Sequence, residues 1–207
     1  MARPPFLYII MKVIIASNNK HKIIEIKEIL GDGFEYYSQR DMGVTDEAVE
    51  DGETFRENSY IKAKFIADKF PDYAVLADDS GLAVEYLNGA PGVNSARYCG
   101  EHGKDELNNI KLLKELEGVT ERNAAFVCAM TLILPTGRVL TAEGRTEGYV
   151  LDKTYGEHGF GYDPLFYSYE IDKCFGLASE DEKNSVSHRG KALRQIKMMM
   201  KLTSEMA

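Results

Sequence analysis

This sequence has few cysteines, no long apolar run and no excess of positive charge. The chain of 207 residues holds three cysteines, an odd number without CxxC spacing, which argues against a disulfide framework or a cysteine zinc site. Its four histidines form no HExxH motif. No apolar stretch approaches the roughly 20 residues of a membrane-spanning helix. We therefore expect no membrane partner and a reducing, cytoplasmic setting.

The charge balance narrows the class of ligand. The net charge is −8 at pH 7, whereas proteins that bind double-stranded nucleic acid are usually basic, so we expect no nucleic-acid partner. An anionic ligand would need local attraction from cationic side chains, helix N-termini or a metal ion. Hydrophobic residues make up 44% of the chain, which is enough for one sizeable core.

The first ten residues, MARPPFLYII, precede a second methionine, Met11. This segment has no cleavage-site pattern typical of a signal peptide. Either Met11 is the natural start or residues 1–10 are a dispensable N-terminal extension, and we interpret residues 11–207 as a single domain.

Strand and helix patterns alternate along the chain. Short apolar runs predict strands at 11–17, 73–78 and 82–87, and a Pro-Thr-Gly turn predicts a long hairpin within 122–150. Apolar residues at helical spacing predict helices that begin after Ser17 and over 54–70, 105–118 and 185–202. This order predicts an α/β fold with a mixed sheet.

Five polar stretches lie where predicted strands end or predicted helices begin, which is where binding groups concentrate. They are Ser17–Lys22, Glu50–Glu53, Asp78–Gly81, Phe160–Pro164 and Lys183–Arg189.

The first stretch, SNNKHK, lies between a predicted strand and a helix N-terminus. Free backbone N–H groups there, together with Lys20 and Lys22, would suit a phosphate. The alternative is an ordinary solvated loop. Neither a Walker A loop nor a GxGxxG fingerprint occurs in the sequence.

The stretch ADDSG places Asp78 and Asp79 side by side after an apolar run. It suits a turn, but paired carboxylates also suit a hard cation such as Mg²⁺, which takes one or two protein carboxylates plus substrate phosphates. Because adjacent strand residues point in opposite directions, we expect only one aspartate to be a ligand or base. Either Glu50 or Asp51 could be a second ligand, while Glu53 suits helix capping.

The last two stretches combine glycines, an aromatic ring and cations. GFGYDP could be a tight turn, or Phe160 could be an aromatic plate for a base, with Gly161 allowing close approach and Asp163 fixing the loop. Lys183, His188 and Arg189 could be a solvated helix end. However, cations normally favour helix C-termini, so a cluster near an N-terminus indicates an anionic or carbonyl-bearing ligand.

Taken in order, five motifs closely resemble the Ham1-type inosine triphosphate pyrophosphatase family, also called XTP/dITP diphosphatases. They are IIASNNKHKIIEIKEIL, EDGETFRENSYIKAK, ADDSGLAVEYLNGAPGVNSARY, GFGYDPLF and SHRGKAL. The resemblance covers the chain from Met11 to about Lys201. Two alternatives remain: a Maf-type pyrophosphatase that acts on other nucleotides, and a nucleotide-binding protein without turnover.

The resemblance implies an elongated, two-lobed α/β fold around a long mixed sheet with flanking helices, usually a homodimer. It implies Mg²⁺-dependent cleavage of ITP, dITP and XTP to the monophosphate and pyrophosphate, which cleanses the nucleotide pool. It also implies site residues by position. The triphosphate loop is Ser17, Asn18, Asn19, Lys20, His21 and Lys22; the acid that binds metal and activates water is Asp79; Ser80 contacts substrate; Phe160, Gly161, Tyr162 and Asp163 form the base-side loop; Lys183, His188 and Arg189 contact base and phosphate.

The sequence departs from the family pattern at Val49-Glu50, where some members carry two adjacent acids. We favour Glu50 as the second metal ligand.

Overall fold

The structure, a computed structural model, describes residues 11–205 and the side chains of residues 11–201. The proposed extension at residues 1–10 lies outside the described residues.

Within residues 11–205, seven strands form one mixed sheet. They are β1 Met11–Ile15, β2 Phe34–Ser38, β3 Ala74–Val84, β4 Asn123–Ile133, β5 Val139–Val150, β6 Phe166–Ser168 and β7 Lys173–Cys174. The order across the sheet is β2-β1-β3-β4-β5-β6-β7. β1 is parallel to β2 and β3, while β3 to β7 pair antiparallel. The predicted α/β fold with a mixed sheet is confirmed, as is the hairpin of β4 and β5.

Five α-helices flank the sheet in the described part of the chain: α1 Lys20–Leu30, α2 Phe55–Ala67, α3 Asp105–Glu115, α4 Glu180–Val186 and α5 His188–Glu205. The Asn19 side chain caps α1, and Thr54 with Glu57 forms the expected capping box of α2. The sequence prediction missed β2 and α4. No helix within this range is both long and apolar enough to cross a membrane.

The expectation of two separate strands, at 73–78 and 82–87, is wrong. β3 continues without a break to Val84, and Asp78 and Asp79 lie opposite Met130 and Ala129 of β4. The two carboxylates do point to opposite sides of the sheet: Asp78 meets Lys22 of α1, and Asp79 meets Lys62 of α2. Buried acids are tolerated in a central strand because each has a cationic partner.

Three apolar clusters place these acids between two halves of the molecule. One cluster packs β1 and β3 against α1 and α5, and a second packs the other sheet face against α2. The third lies at the far end of β3 and joins Leu82, Leu112, Phe126 and Phe166. A cleft opens where β1 has ended and β3 continues, between the first two clusters and the third.

Candidate functional site

The cleft consists of two connected chambers, which share Asn19, Lys22, Ser80 and Ala96 as walls. The polar chamber is lined by residues that include Ser17, Asn18, Glu50, Lys62 and Asp79. The aromatic chamber is lined by residues that include Phe126, Phe160, Tyr162, Lys183, His188 and Arg189. The structure thus brings together residues from all five stretches that the sequence singled out.

In the polar chamber, one ammonium group joins two carboxylates. Lys62 Nζ donates to Asp79 Oδ1 and to Glu50 Oε2, each at 3.0 Å. Asp79 Oδ2 is buried and has no hydrogen-bond partner. Burial raises the pKa of Asp79 above its ordinary value although Lys62 and Lys22 oppose this. Asp79 is therefore a carboxylate with incomplete charge compensation and one open oxygen.

This donor set fits a cation that is shared with a ligand. Among the described residues, no group of three or more His, Cys, Asp or Glu side chains is arranged to hold a metal ion. Mg²⁺ nevertheless needs only one or two protein carboxylates when phosphates supply other oxygens. Asp79 and Glu50 meet that requirement, since both already face one cation and Asp79 Oδ2 remains open.

The hydrogen bonding of the loop Ser17–Lys22 differs in one respect from expectation. The side chain of Asn19 accepts the N–H groups of His21 and Lys22 at 3.0 and 3.2 Å, and Ser17 Oγ accepts the N–H of Asn19 at 3.1 Å. The expected row of free N–H groups is therefore partly occupied by the loop's own side chains. What the loop offers an anion is mainly cationic: Lys22 lines both chambers and Lys20 is exposed.

A buried ion network separates the cleft from the core. Its cations are Lys22, Lys183 and Arg189, and its carboxylates are Glu25, Asp78 and Asp163. Arg189 contacts Asp78 and Glu25, while Lys183 Nζ lies 2.7 Å from Glu25 and 2.6 Å from Asp163. Lys22 Nζ lies 3.0 Å from Asp78. Each cation of the network thus has at least one carboxyl partner.

The network overturns the alternative of a solvated helix end. Arg189 is 1% exposed, and Lys183 and His188 are each 4% exposed. Burial favours a neutral Asp78, but Lys22 and Arg189 outweigh this and hold the pKa of that carboxyl far below its usual range. Asp78 thus fixes two site cations, while Asp79 next to it faces the polar chamber.

His188 lies in the aromatic chamber as a neutral ring. It stacks on Phe126 with ring centroids 4.7 Å apart and planes 10° apart. Burial, with the nearby charges of Arg189 and Lys183, lowers its pKa well below the ordinary value. Its Nδ1 is buried and has no partner, so the ring retains hydrogen-bonding capacity.

The loop around Phe160 is held from several sides. Asp163 Oδ2 accepts the Phe160 N–H at 2.8 Å, as expected for a residue that fixes the loop. Tyr162 Oη donates to the Ser95 carbonyl at 2.9 Å. His21, expected among the triphosphate contacts, instead stacks on Phe160 with centroids 5.2 Å apart, and Lys183 Nζ lies 4.6 Å from the Phe160 centroid.

Sequence reasoning missed Lys62, Glu25 and Phe126. Glu25 had a usable signal, because it lies three residues after Lys22 and therefore on the same side of α1. Lys62 belongs to a quoted motif, but nothing local indicates that it reaches Asp79. Phe126 looks like any apolar residue of a buried strand. Its contact with His188 joins β4 to the start of α5.

The polar chamber can take an anion with a cation, and the aromatic chamber next to it can take a planar ring. The two together define an α/β protein with a nucleotide-type cleft. Comparison with known proteins gives the family: the Ham1 family matches residues 13–199, and the chain belongs to it.

Individual relatives cover nearly the whole chain. A dITP/XTP pyrophosphatase of Clostridium perfringens is 49% identical over 198 residues, which is 92% of this chain and 97% of the relative. One from Desulfotalea psychrophila is 50% identical over 186 residues, 89% of this chain and 83% of the relative. The solved Ham1 protein of Staphylococcus aureus is 38% identical, with a TM-score of 0.82 over 92% of this chain and 98% of the other.

Proposed function

We propose that this chain hydrolyses ITP, dITP and XTP, the triphosphates of noncanonical purines, to the monophosphate and pyrophosphate, and so cleanses the nucleotide pool. Membership of the Ham1 family supports this, as do relatives named dITP/XTP pyrophosphatase. The observation that carries it is the continuity of the cleft: Lys22 and Ser80 line both the chamber that holds Asp79 and the chamber that holds Phe160 and His188. From the resemblance, we also propose a homodimer that acts in the cytoplasm.

We propose Mg²⁺ as the cofactor, held by Asp79 and Glu50 together with oxygens of the triphosphate. When bound, such an ion supplies neutralisation of phosphate charge and lowers the pKa of water in its shell. Lys62 now spans the same two carboxylates at 3.0 Å. With a cation held by these carboxylates, the Lys62 ammonium would be available to pair with phosphate oxygens.

The triphosphate carries about four negative charges and the protein −8, so long-range attraction opposes binding. Local cations must reverse it. Lys22 and Lys62 line the polar chamber, and Lys20 is exposed next to Asn19, which also lines it. The raised pKa of Asp79 makes it the better base of the adjacent pair. Asp79, with one carboxylate oxygen unpartnered, is the residue that would orient water toward the α-phosphorus.

The free donors of the aromatic chamber support selectivity for 6-keto purines over adenine. Lys183 has three N–H donors, of which Glu25 and Asp163 engage two. Arg189 has five, of which Asp78, Glu25 and Ser80 engage four. Each cation therefore retains one N–H for a keto oxygen. Adenine presents an amino group there instead, and an unpaired buried donor costs about 1–3 kcal/mol.

Rates of pyrophosphate release test this proposal. We expect the purified chain with Mg²⁺ to release pyrophosphate from ITP, dITP and XTP, to act slowly on GTP and ATP, and to stop when EDTA is added. Preferential release from dTTP would favour the Maf-type alternative. Binding of ITP without any release of pyrophosphate would favour a binding protein, and both outcomes would contradict the proposed activity.

A Phe160→Ala variant should raise KM for ITP more than it lowers kcat. Stacking on an aromatic ring contributes about 1–3 kcal/mol per base, which corresponds to a rise in KM of roughly fivefold to 150-fold. Steady-state kinetics measure both constants. Tyr155→Ala is the matched control, because Tyr155 is an exposed aromatic residue close in sequence to this loop. An unchanged KM in Phe160→Ala would remove the stacking role.

A further inference from the structure

Two side chains of helix α3 hydrogen-bond to the backbone N–H and C=O of Gly161, in the loop that carries Phe160. Asp105 Oδ2 accepts the N–H of Gly161 at 2.9 Å, and Asn109 Nδ2 donates to the carbonyl of Gly161 at 3.0 Å. Asp105 and Asn109 are four residues apart and therefore neighbours on one face of the helix. An acceptor meets the N–H and a donor meets the C=O, so the pair is chemically matched to this single residue.

The helix that provides this grip is itself anchored. Leu112 packs in the third apolar cluster together with Phe126 and Tyr162. Asn108, a buried residue of the same helix, accepts the N–H of Cys99 at 2.8 Å. Asn109 is only 8% exposed. The contact from Asn109 to Gly161 is thus made by a mostly buried side chain, while Asp105 makes its contact from an exposed position.

Gly161 is the position where such a grip controls the aromatic ring. It follows Phe160 directly and has φ 62°, a left-handed conformation that favours glycine. On the other side, Asp163 holds the N–H of Phe160. Fixing Gly161 therefore fixes the second end of the Phe160 peptide unit, and with it the direction of the ring in the aromatic chamber.

We propose that Asp105 and Asn109 are positioning residues for the purine, which hold the Gly161 backbone and thereby orient Phe160 toward the bound base. This proposal rests on the proposed function. Residues of α3 line the aromatic chamber through Asp105, and none of them is among the walls of the polar chamber in the described structure. The two residues should therefore affect the base end of the substrate and leave the phosphate end unaffected.

Two isosteric variants separate this role from simple packing. Asn109→Asp places a carboxylate oxygen against the Gly161 carbonyl, so acceptor faces acceptor. Asp105→Asn keeps an acceptor oxygen that can receive the Gly161 N–H. We expect binding of the base to be strongly weakened in Asn109→Asp and to stay close to the wild type in Asp105→Asn. Lys114→Gln, at an exposed position of α3, is the matched control.

The readout is inhibition by the two products. IMP carries the base and pyrophosphate does not. In Asn109→Asp, KM for ITP and Ki for IMP should rise by the same factor, roughly tenfold for a lost buried hydrogen bond with an opposed acceptor. Ki for pyrophosphate should stay within about twofold of wild type. Ki for IMP should rise in Asp105→Ala and should stay at the wild-type value in Asp105→Asn.

An unchanged Ki for IMP in a folded Asn109→Asp would overturn the proposal, and so would an equal rise of both Ki values. If Asn109→Asp fails to fold, the comparison of Asp105→Ala with Asp105→Asn decides by the same criterion. Absence of turnover in the wild type would contradict the proposed function alone. The Kd of IMP would then be measured by calorimetry on the same variants. A rise in Asp105→Ala would support the positioning role, and an unchanged Kd would overturn it.

Discussion

An Asp79→Asn variant should lose about a thousandfold or more in kcat, since stabilisation of charge at such a site contributes several kcal/mol to the transition state. Its melting temperature should remain near that of the wild type. Asp79 Oδ2 has no partner, and burial already raises the pKa of the carboxyl. Asparagine therefore removes a poorly compensated charge, and Lys62 keeps its contact with Glu50.

Two measurements decide this prediction: pyrophosphate release from ITP and a thermal melt on the same preparation. Near-wild-type release with Mg²⁺ would contradict the role of Asp79 as base and cation ligand. A large fall in melting temperature would show that the carboxylate is needed for the fold.

The neighbouring variant, Asp78→Asn, should lose stability. It leaves Lys22 and Arg189 without their common carboxylate, and Arg189 is 1% exposed. Breaking a buried ion pair by removing one partner costs about 3–5 kcal/mol, which for a chain of this size lowers the melting temperature by roughly 10 °C. Unchanged stability in Asp78→Asn would contradict the structural role of the ion network.

The stabilising contribution of Asp78 should also depend on pH in a defined direction. Lys22 and Arg189 hold its folded-state pKa below the unfolded value of about 3.9. The unfolded state therefore takes up a proton first as pH falls. The stability difference between wild type and Asp78→Asn should be full above about pH 4 and shrink below it. A difference that grows on acidification would show that another group carries the effect.

The local signals of the sequence predicted much of the fold and the membership of the site. The capping box of Thr54 and Glu57, the hairpin and the order of the polar stretches are all visible in short windows. The continuity of β3 was not predictable in this way. The sequence indicates strands at 73–78 and 82–87, but Asp78 to Gly81 between them have the composition of a turn. The strand persists because Arg189, 111 residues away, neutralises Asp78.

The same limit explains the functional residues that were missed. Lys62 contacts Asp79 across 17 residues, and Lys183 contacts Glu25 across 158. No local pattern contains either pair. Helix α4 is a different case, since Ser179 and Glu182 form a capping box that the sequence does display. Its polar composition has no apolar stripe, which is the signal on which helix prediction relied.

The most direct test of the proposed activity is the identity of the products formed from dITP with Mg²⁺, followed by ³¹P NMR in ¹⁸O-labelled water. We expect dIMP and pyrophosphate in equal amounts, with one labelled oxygen on the phosphorus of dIMP and none on pyrophosphate. Formation of orthophosphate and dIDP would contradict the proposed function. Label in pyrophosphate would contradict attack at the α-phosphorus.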